Sequence, residues 1–131
     1  MRIMTGVIIG LIFAILCVML MEIGAHHLFP LAESTPPAGE AAGVAELTMR
    51  MRVEGLLMVV GGWALAAFVG GYIANFIAGR GLAGWIVAGL VVLAVLVTIS
   101  AIPHPVWMAA SGVTLPLIAG WLARRAAHVP L

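Results

Sequence analysis

The side chains with the means to do chemistry gather at three places in the chain: Glu22 with His26 and His27, Arg50 and Arg52 with Glu54, and His104 alone. Glu22 and His26 stand four residues apart, so a helix running through both sets carboxylate and imidazole on neighbouring turns of one face. Such a pair can fix the tautomer and orientation of the ring, handle a proton, or supply two ligands to a divalent metal. The paired-Cys and His-Glu-x-x-His patterns that mark strong zinc sites are absent from the sequence. A structural network is the plainer alternative, with Glu22 paired to Arg50, Arg52 or His26 and the histidines satisfying helix ends. Haem ligation by His26 or His27 facing His104 is disfavoured, because these residues fall at the ends of apolar segments and not within them. The expectation is therefore no cofactor, with a divalent metal as the one the cluster could accept.

Other chemical templates fail. Cys17 sits inside an apolar run without a nearby base and reads as a filler, and a single Cys excludes both an internal disulfide and a multi-Cys cluster. No Gly-x-Ser-x-Gly elbow occurs, and the absence of Lys removes the phosphate-binding loop that ends in one. Six Arg against five Glu leave no basic footprint for nucleic acid. His128 reads as a solvated tail residue. These exclusions point away from an enzyme.

The elements that must position the cluster follow from composition. The 131 residues are 64% hydrophobic and only 8% charged, too few charges to cover a water-facing surface, where about a quarter is usual. Runs able to cross roughly 30 Å of hydrocarbon need about 20 apolar residues. Residues 3–23, 55–78, 82–102 and 106–123 meet that requirement, which predicts an all-α, integral membrane four-helix bundle in one domain, with an external loop over 24–54. The first run exceeds the roughly 7 to 15 apolar residues of a signal peptide and is read as a retained helix. Arg2, Arg80, Arg124 and Arg125 fall on one side and Arg50 with Arg52 on the other, which predicts both termini in the cytoplasm. Glu33 to Glu40, with Pro36 and Pro37, has linker composition, and residues 45–53 suggest an early amphipathic start to the second helix. The links Gly79-Arg80-Gly81 and Pro103-His104-Pro105 are short enough to make consecutive helices antiparallel neighbours.

Membrane helices associate through small side chains and a few hydrogen bonds. Gly62, Ala66, Gly70, Ala74 and Ala78 recur every fourth residue, with Ala67, Gly71 and Asn75 in adjacent rows, and Gly6, Gly10 and Ala14 form a matching row on the first helix. These rows predict internal packing or contacts between copies of the chain. Pro116 removes the donor for the Gly112 carbonyl and predicts a kink, with Ser111 and Thr114 near enough to offer hydroxyls. Trp107 and Trp121 fall where indole rings anchor at headgroups, whereas Trp63 and Trp85 have no clear interfacial place.

Three stretches together resemble a group of small four-helix bacterial inner-membrane proteins without an assigned activity: Glu22 to Pro30, with its Glu-x3-His and Phe-Pro ending, Trp63 to Gly71, and His104-Pro105-Val106-Trp107. The resemblance covers nearly the whole chain and implies the fold and an inner-membrane location. It singles out Glu22, His26, Pro30, His104, Pro105 and Trp107. Residues 51–55 depart from the group's Pro-containing entry to the second helix, so no role carries over to Arg52 or Glu54.

Two function classes follow. An accessory or scaffold subunit of a membrane complex needs packing surfaces, which the Gly and Ala rows supply. A minimal transporter, channel or metal- and proton-handling protein needs a polar site. Asn75, Thr98, Ser100, Ser111 and Thr114 offer polarity within the spans and no ionisable group falls near the midplane, so the accessory role is the primary expectation, with the lipid bilayer and a homo-oligomer or larger complex as partners. Glu22, His26 and His104 are expected to meet at one end of the bundle, because antiparallel packing returns the start of the fourth helix to the end of the first.

Overall fold

The computed structural model describes residues 1–30 and 52–131, and among these all regular structure is helical. The helices are α1 (Arg2–Leu28), α2 (Val53–Ala78), α3 (Gly81–Ala101) and α4 (Val106–Ala126). At 1.5 Å per residue the 21-residue α3 and α4 are each about 31 Å long and the 27-residue α1 about 40 Å. Each of the four is long and apolar enough to cross a membrane.

The boundaries correct the sequence expectation at the first connection. α1 does not end at Ile23 but continues to Leu28, so residues 24–28 belong to a helix and not to a loop. Hydropathy falls at Glu22 and the two histidines, yet nothing there breaks a helix. Termination waits for Pro30, which disfavours helical dihedrals at Phe29, and Phe29 takes φ −128 and ψ 64. His26 and His27 therefore ride on the last turn of α1. α2 begins at Val53 and takes in Glu54; residues 45–51 of the amphipathic start read over 45–53, the linker from 31 onward and Arg50 lie outside the described residues.

α2 is the central element and packs against all three others, whereas α1 runs chiefly along α2, touches α3, and makes no close backbone contact with α4. Glycine explains how closely α1 and α2 approach. A Cβ on Gly10 would stand 2.5 Å from the Gly70 carbonyl oxygen, one on Gly70 would stand 2.6 Å from the Gly10 oxygen, and one on Gly6 would stand 2.6 Å from the Ala74 oxygen. Backbone faces backbone there, and a side chain would have to part the helices. Elsewhere the small residues make notches. The Trp63 indole fills the space a Gly112 side chain would take, Ala88 fills that of Gly120, and Met21 lies against Gly62. Ala66, Ala67 and Ala74 are fully buried among these contacts, and Gly71 faces Ala123 and Gly84.

Asn75 is the one buried polar side chain among the described residues. Its Oδ1 accepts the Gly84 N–H at 2.6 Å, tying α2 to the first turns of α3. Gly84 lacks the Cβ that would collide with this amide. The turn between the two helices is closed by Gly79, whose left-handed φ of 67 places its N–H on the Asn75 carbonyl at 2.8 Å.

α4 passes through Pro116, which is buried. The expected hydroxyl repair at Gly112 does not occur. Ser111 Oγ donates to the Trp107 carbonyl at 2.7 Å and Thr114 Oγ1 to the Ala110 carbonyl at 3.0 Å, since a helical hydroxyl reaches its own preceding turn most readily. Trp107 and Trp121 lie exposed at opposite ends of α4, and the Arg125 guanidinium stacks 4.4 Å over the Trp121 ring. The remaining exposed surface is dominated by large apolar side chains such as Ile8, Ile12, Phe13, Phe76 and Leu93, as a lipid-facing exterior requires.

Candidate functional site

Because α1 lies along α2 and meets α3 less closely, a cleft of about 550 Å³ remains between α1 and α3, backed by α2 and closed at one end by the α3–α4 connection. This volume is within the range of small-molecule sites. Its walls are apolar: Leu11, Ile15 and Val18 from α1, Leu90, Val91 and Val95 from α3, with Leu56, Val59 and Trp63 behind. Its polar groups are Glu22 and His26 on α1, Thr98 on α3 and His104 in the connection. The stretch of α1 from Leu11 to His26 rises about 22 Å, so the cleft runs from mid-bundle to one end.

Each polar group is held by the local fold. Glu22 and His26 share a face of α1 only because the helix continues past Ile23. His104 is fixed between Pro103 and Pro105, and its Nδ1 lies 2.6 Å from the Ile102 carbonyl oxygen. A carbonyl can only accept, so Nδ1 carries a proton, and in the neutral ring Nε2 is left as the acceptor. The His104 ring also lies against the Trp63 indole, with centroids 6.5 Å apart and planes tilted by 57°. Thr98 Oγ1 donates to the Ala94 carbonyl at 2.9 Å, which leaves the hydroxyl lone pairs unused by that bond.

Glu22, His26 and His104 thus line one cleft. His27 and Glu54 do not line it. Arg52, read from sequence as a charge partner for the cluster, pairs at 3.0 Å with Glu54, and both side chains are exposed. That ion pair is the only one among the described residues, so Arg52 does not serve Glu22. The sequence spacing is the reason: two residues at the start of α2 reach one another without crossing to α1. No set of three or more His, Cys, Asp or Glu side chains among the described residues is placed to hold a metal.

Trp63 was the residue that sequence reading placed least well. It is a buried wall of the cleft, 6% exposed. Its signal would have been the pairing with Gly112, a notch on another helix that spacing within one helix does not show. Thr98 was visible as a polar residue within a span, yet only the fold brings it into the cleft that His104 also lines. No family model, curated protein or solved structure matches the chain.

Proposed function

We propose that this chain is a small, non-catalytic, multi-pass protein of the bacterial inner membrane, with both termini cytoplasmic, that binds a membrane-borne amphiphile in the α1–α3 cleft. The observation that carries this reading is the shape and chemistry of the cleft: a long apolar trough leading to four polar side chains at one end. An apolar tail gains by filling the trough, and the polar end fixes the orientation of the molecule. The Thr98 hydroxyl commits its proton to the Ala94 carbonyl of its own helix, which favours binding over chemistry. The location and orientation rest on the Arg distribution and the motif resemblance.

An accessory role draws its support from small-residue rows free to meet a partner. Here Gly6, Gly10, Gly62 and Gly70 face other helices of the same chain, which leaves the cleft reading better supported. Native mass spectrometry of the protein released from mild detergent tests the choice. The expected spectrum carries one small-molecule adduct per chain, lost in Ala94→Phe, where a ring on an exposed cleft residue fills the trough. A second polypeptide in fixed ratio, with no small adduct, would return the accessory role.

A further inference from the structure

Resting on the cleft reading, we propose that the occupant is an alkyl amphiphile whose head is a hydrogen-bond-donating cation, a protonated primary amine. The inference comes from asking, group by group, what the polar end of the cleft has left to offer. An ionised Glu22 carboxylate accepts and cannot donate. His104 commits Nδ1–H to the Ile102 carbonyl, so its neutral ring offers only the Nε2 lone pair. Thr98 commits its hydroxyl proton to the Ala94 carbonyl and likewise retains lone pairs. His26 is the remaining ring, and among the described residues it makes no side-chain hydrogen bond; as a neutral imidazole it can serve either way. Three of the four groups are therefore acceptors.

The charge agrees with this count. Among the described residues that line the cleft there is one carboxylate and no Arg, and the chain contains no Lys. A sulfate, phosphate or carboxylate head would meet lone pairs and a negative charge, with only His26 to receive it. An ammonium head brings N–H donors and a positive charge to an end of the cleft that offers acceptors, and hydrogen bonds between charged partners are the strong ones. A quaternary ammonium keeps the charge but has no N–H to give, which makes it the discriminating comparison.

The test uses the full-length protein in phosphatidylcholine nanodiscs, with Trp85, Trp107 and Trp121 changed to Phe so that Trp63 alone reports from the cleft wall. A bromoalkyl chain that enters the cleft quenches Trp63, and dodecylammonium, dodecyltrimethylammonium and dodecyl sulfate are titrated as competitors. Dodecylammonium is expected to restore fluorescence at about a tenfold lower bilayer fraction than dodecyl sulfate, with the trimethyl compound between them. Glu22→Gln should shrink the ammonium-to-sulfate gap; because Glu22 is exposed, this variant should fold like the parent. Comparison within one bilayer removes differences in partitioning from the effect of the variant. Equal competition by all three probes, or preference for sulfate, overturns the head-group assignment and leaves the cleft reading intact. Quenching that is unaffected by Ala94→Phe and by every competitor overturns both.

Discussion

Replacing Gly10 by Ala should weaken the bundle where α1 meets α2, and the structure supplies the controls that isolate the reason. The new Cβ would stand 2.5 Å from the Gly70 carbonyl oxygen and 2.9 Å from the Ala74 Cβ. Ordinary contact lies near 3.5 to 4.0 Å, so α1 and α2 must separate by roughly 1 Å, enough to forfeit up to half the dispersion energy of the contacts that open. Neither obstacle is a flexible side-chain tip, so no rotamer change relieves it. Overpacking of this kind costs about 1–3 kcal/mol. Ala also gains about 1 kcal/mol over Gly in helix propensity, which would mask part of the loss. Gly89→Ala supplies the same propensity gain, because a Cβ there meets nothing within 4 Å. Gly24→Ala is intermediate, since the only obstacle is the Met58 methyl at 2.9 Å. Reversible unfolding in mixed micelles should therefore rank Gly89→Ala above Gly24→Ala and both above Gly10→Ala. A gap of about 1–3 kcal/mol is expected between the extremes. Equal stabilities for Gly10→Ala and Gly89→Ala would refute the claim that backbone-to-backbone approach holds α1 in place.

Asn75→Ala should lower stability by about 0.6 to 1.7 kcal/mol in the same assay, the range for interhelical hydrogen bonds in membranes, because the Gly84 N–H loses its side-chain acceptor. Gly112→Val should displace the Trp63 indole and shift its emission, since the added side chain enters space held by the ring at 2.7 Å; an unchanged spectrum would count against the notch. In a Cys17→Ser background, cysteine at position 39 should label from the periplasmic side and cysteine at 128 only after permeabilisation, and the reverse would invert the proposed orientation. Elemental analysis of the purified protein should give the same metal content for the parent, Glu22→Gln and His104→Ala, and a metal lost from either variant would reassign the cluster as a metal site.

Much of the fold was legible because hydropathy and helix length are properties of contiguous sequence. Four apolar runs gave four helices; of the small-residue rows, Gly6 and Gly10 meet Gly70 and Ala74 between α1 and α2, whereas Gly71 and Asn75 face α3 and α4. The end of α1 was misjudged because hydropathy measures lipid preference, whereas helix termination depends on dihedral restriction. Glu22 and His26 interrupt the first property and leave the second untouched until Pro30. The cleft was legible only in part. The i, i+4 spacing gave Glu22 and His26, and antiparallel order gave His104. Trp63 and Thr98 required knowing how α2, α3 and α4 cross, which spacing within a single helix cannot encode. The link from Arg52 to Glu22 failed because a partner two residues away, Glu54, lay within reach before any tertiary contact was made.

The position of the cleft follows from how unequally α1 is attached. Its buried residues are Gly6, Gly10, Ala14 and Ala25, a line of small side chains seated on α2, while Ile15, Met19 and Leu20 on other faces stay exposed. Helices α2, α3 and α4 form mutual contacts, and α1 is laid against one flank of that group with α2 between it and α4. A helix held so closely along one neighbour cannot also close on a second that diverges from it, and the space left between α1 and α3 is the cleft. Its rim includes Ile15, Met19 and Leu90, all exposed on the face where lipid would lie. A molecule dissolved in the bilayer could therefore slide its tail in sideways and bring its head to Glu22 and His104 at the end of the bundle, without a water-filled path through the protein. That route suits an amphiphile, whose tail gains by filling the apolar trough, whereas a hydrated ion gains nothing from those walls.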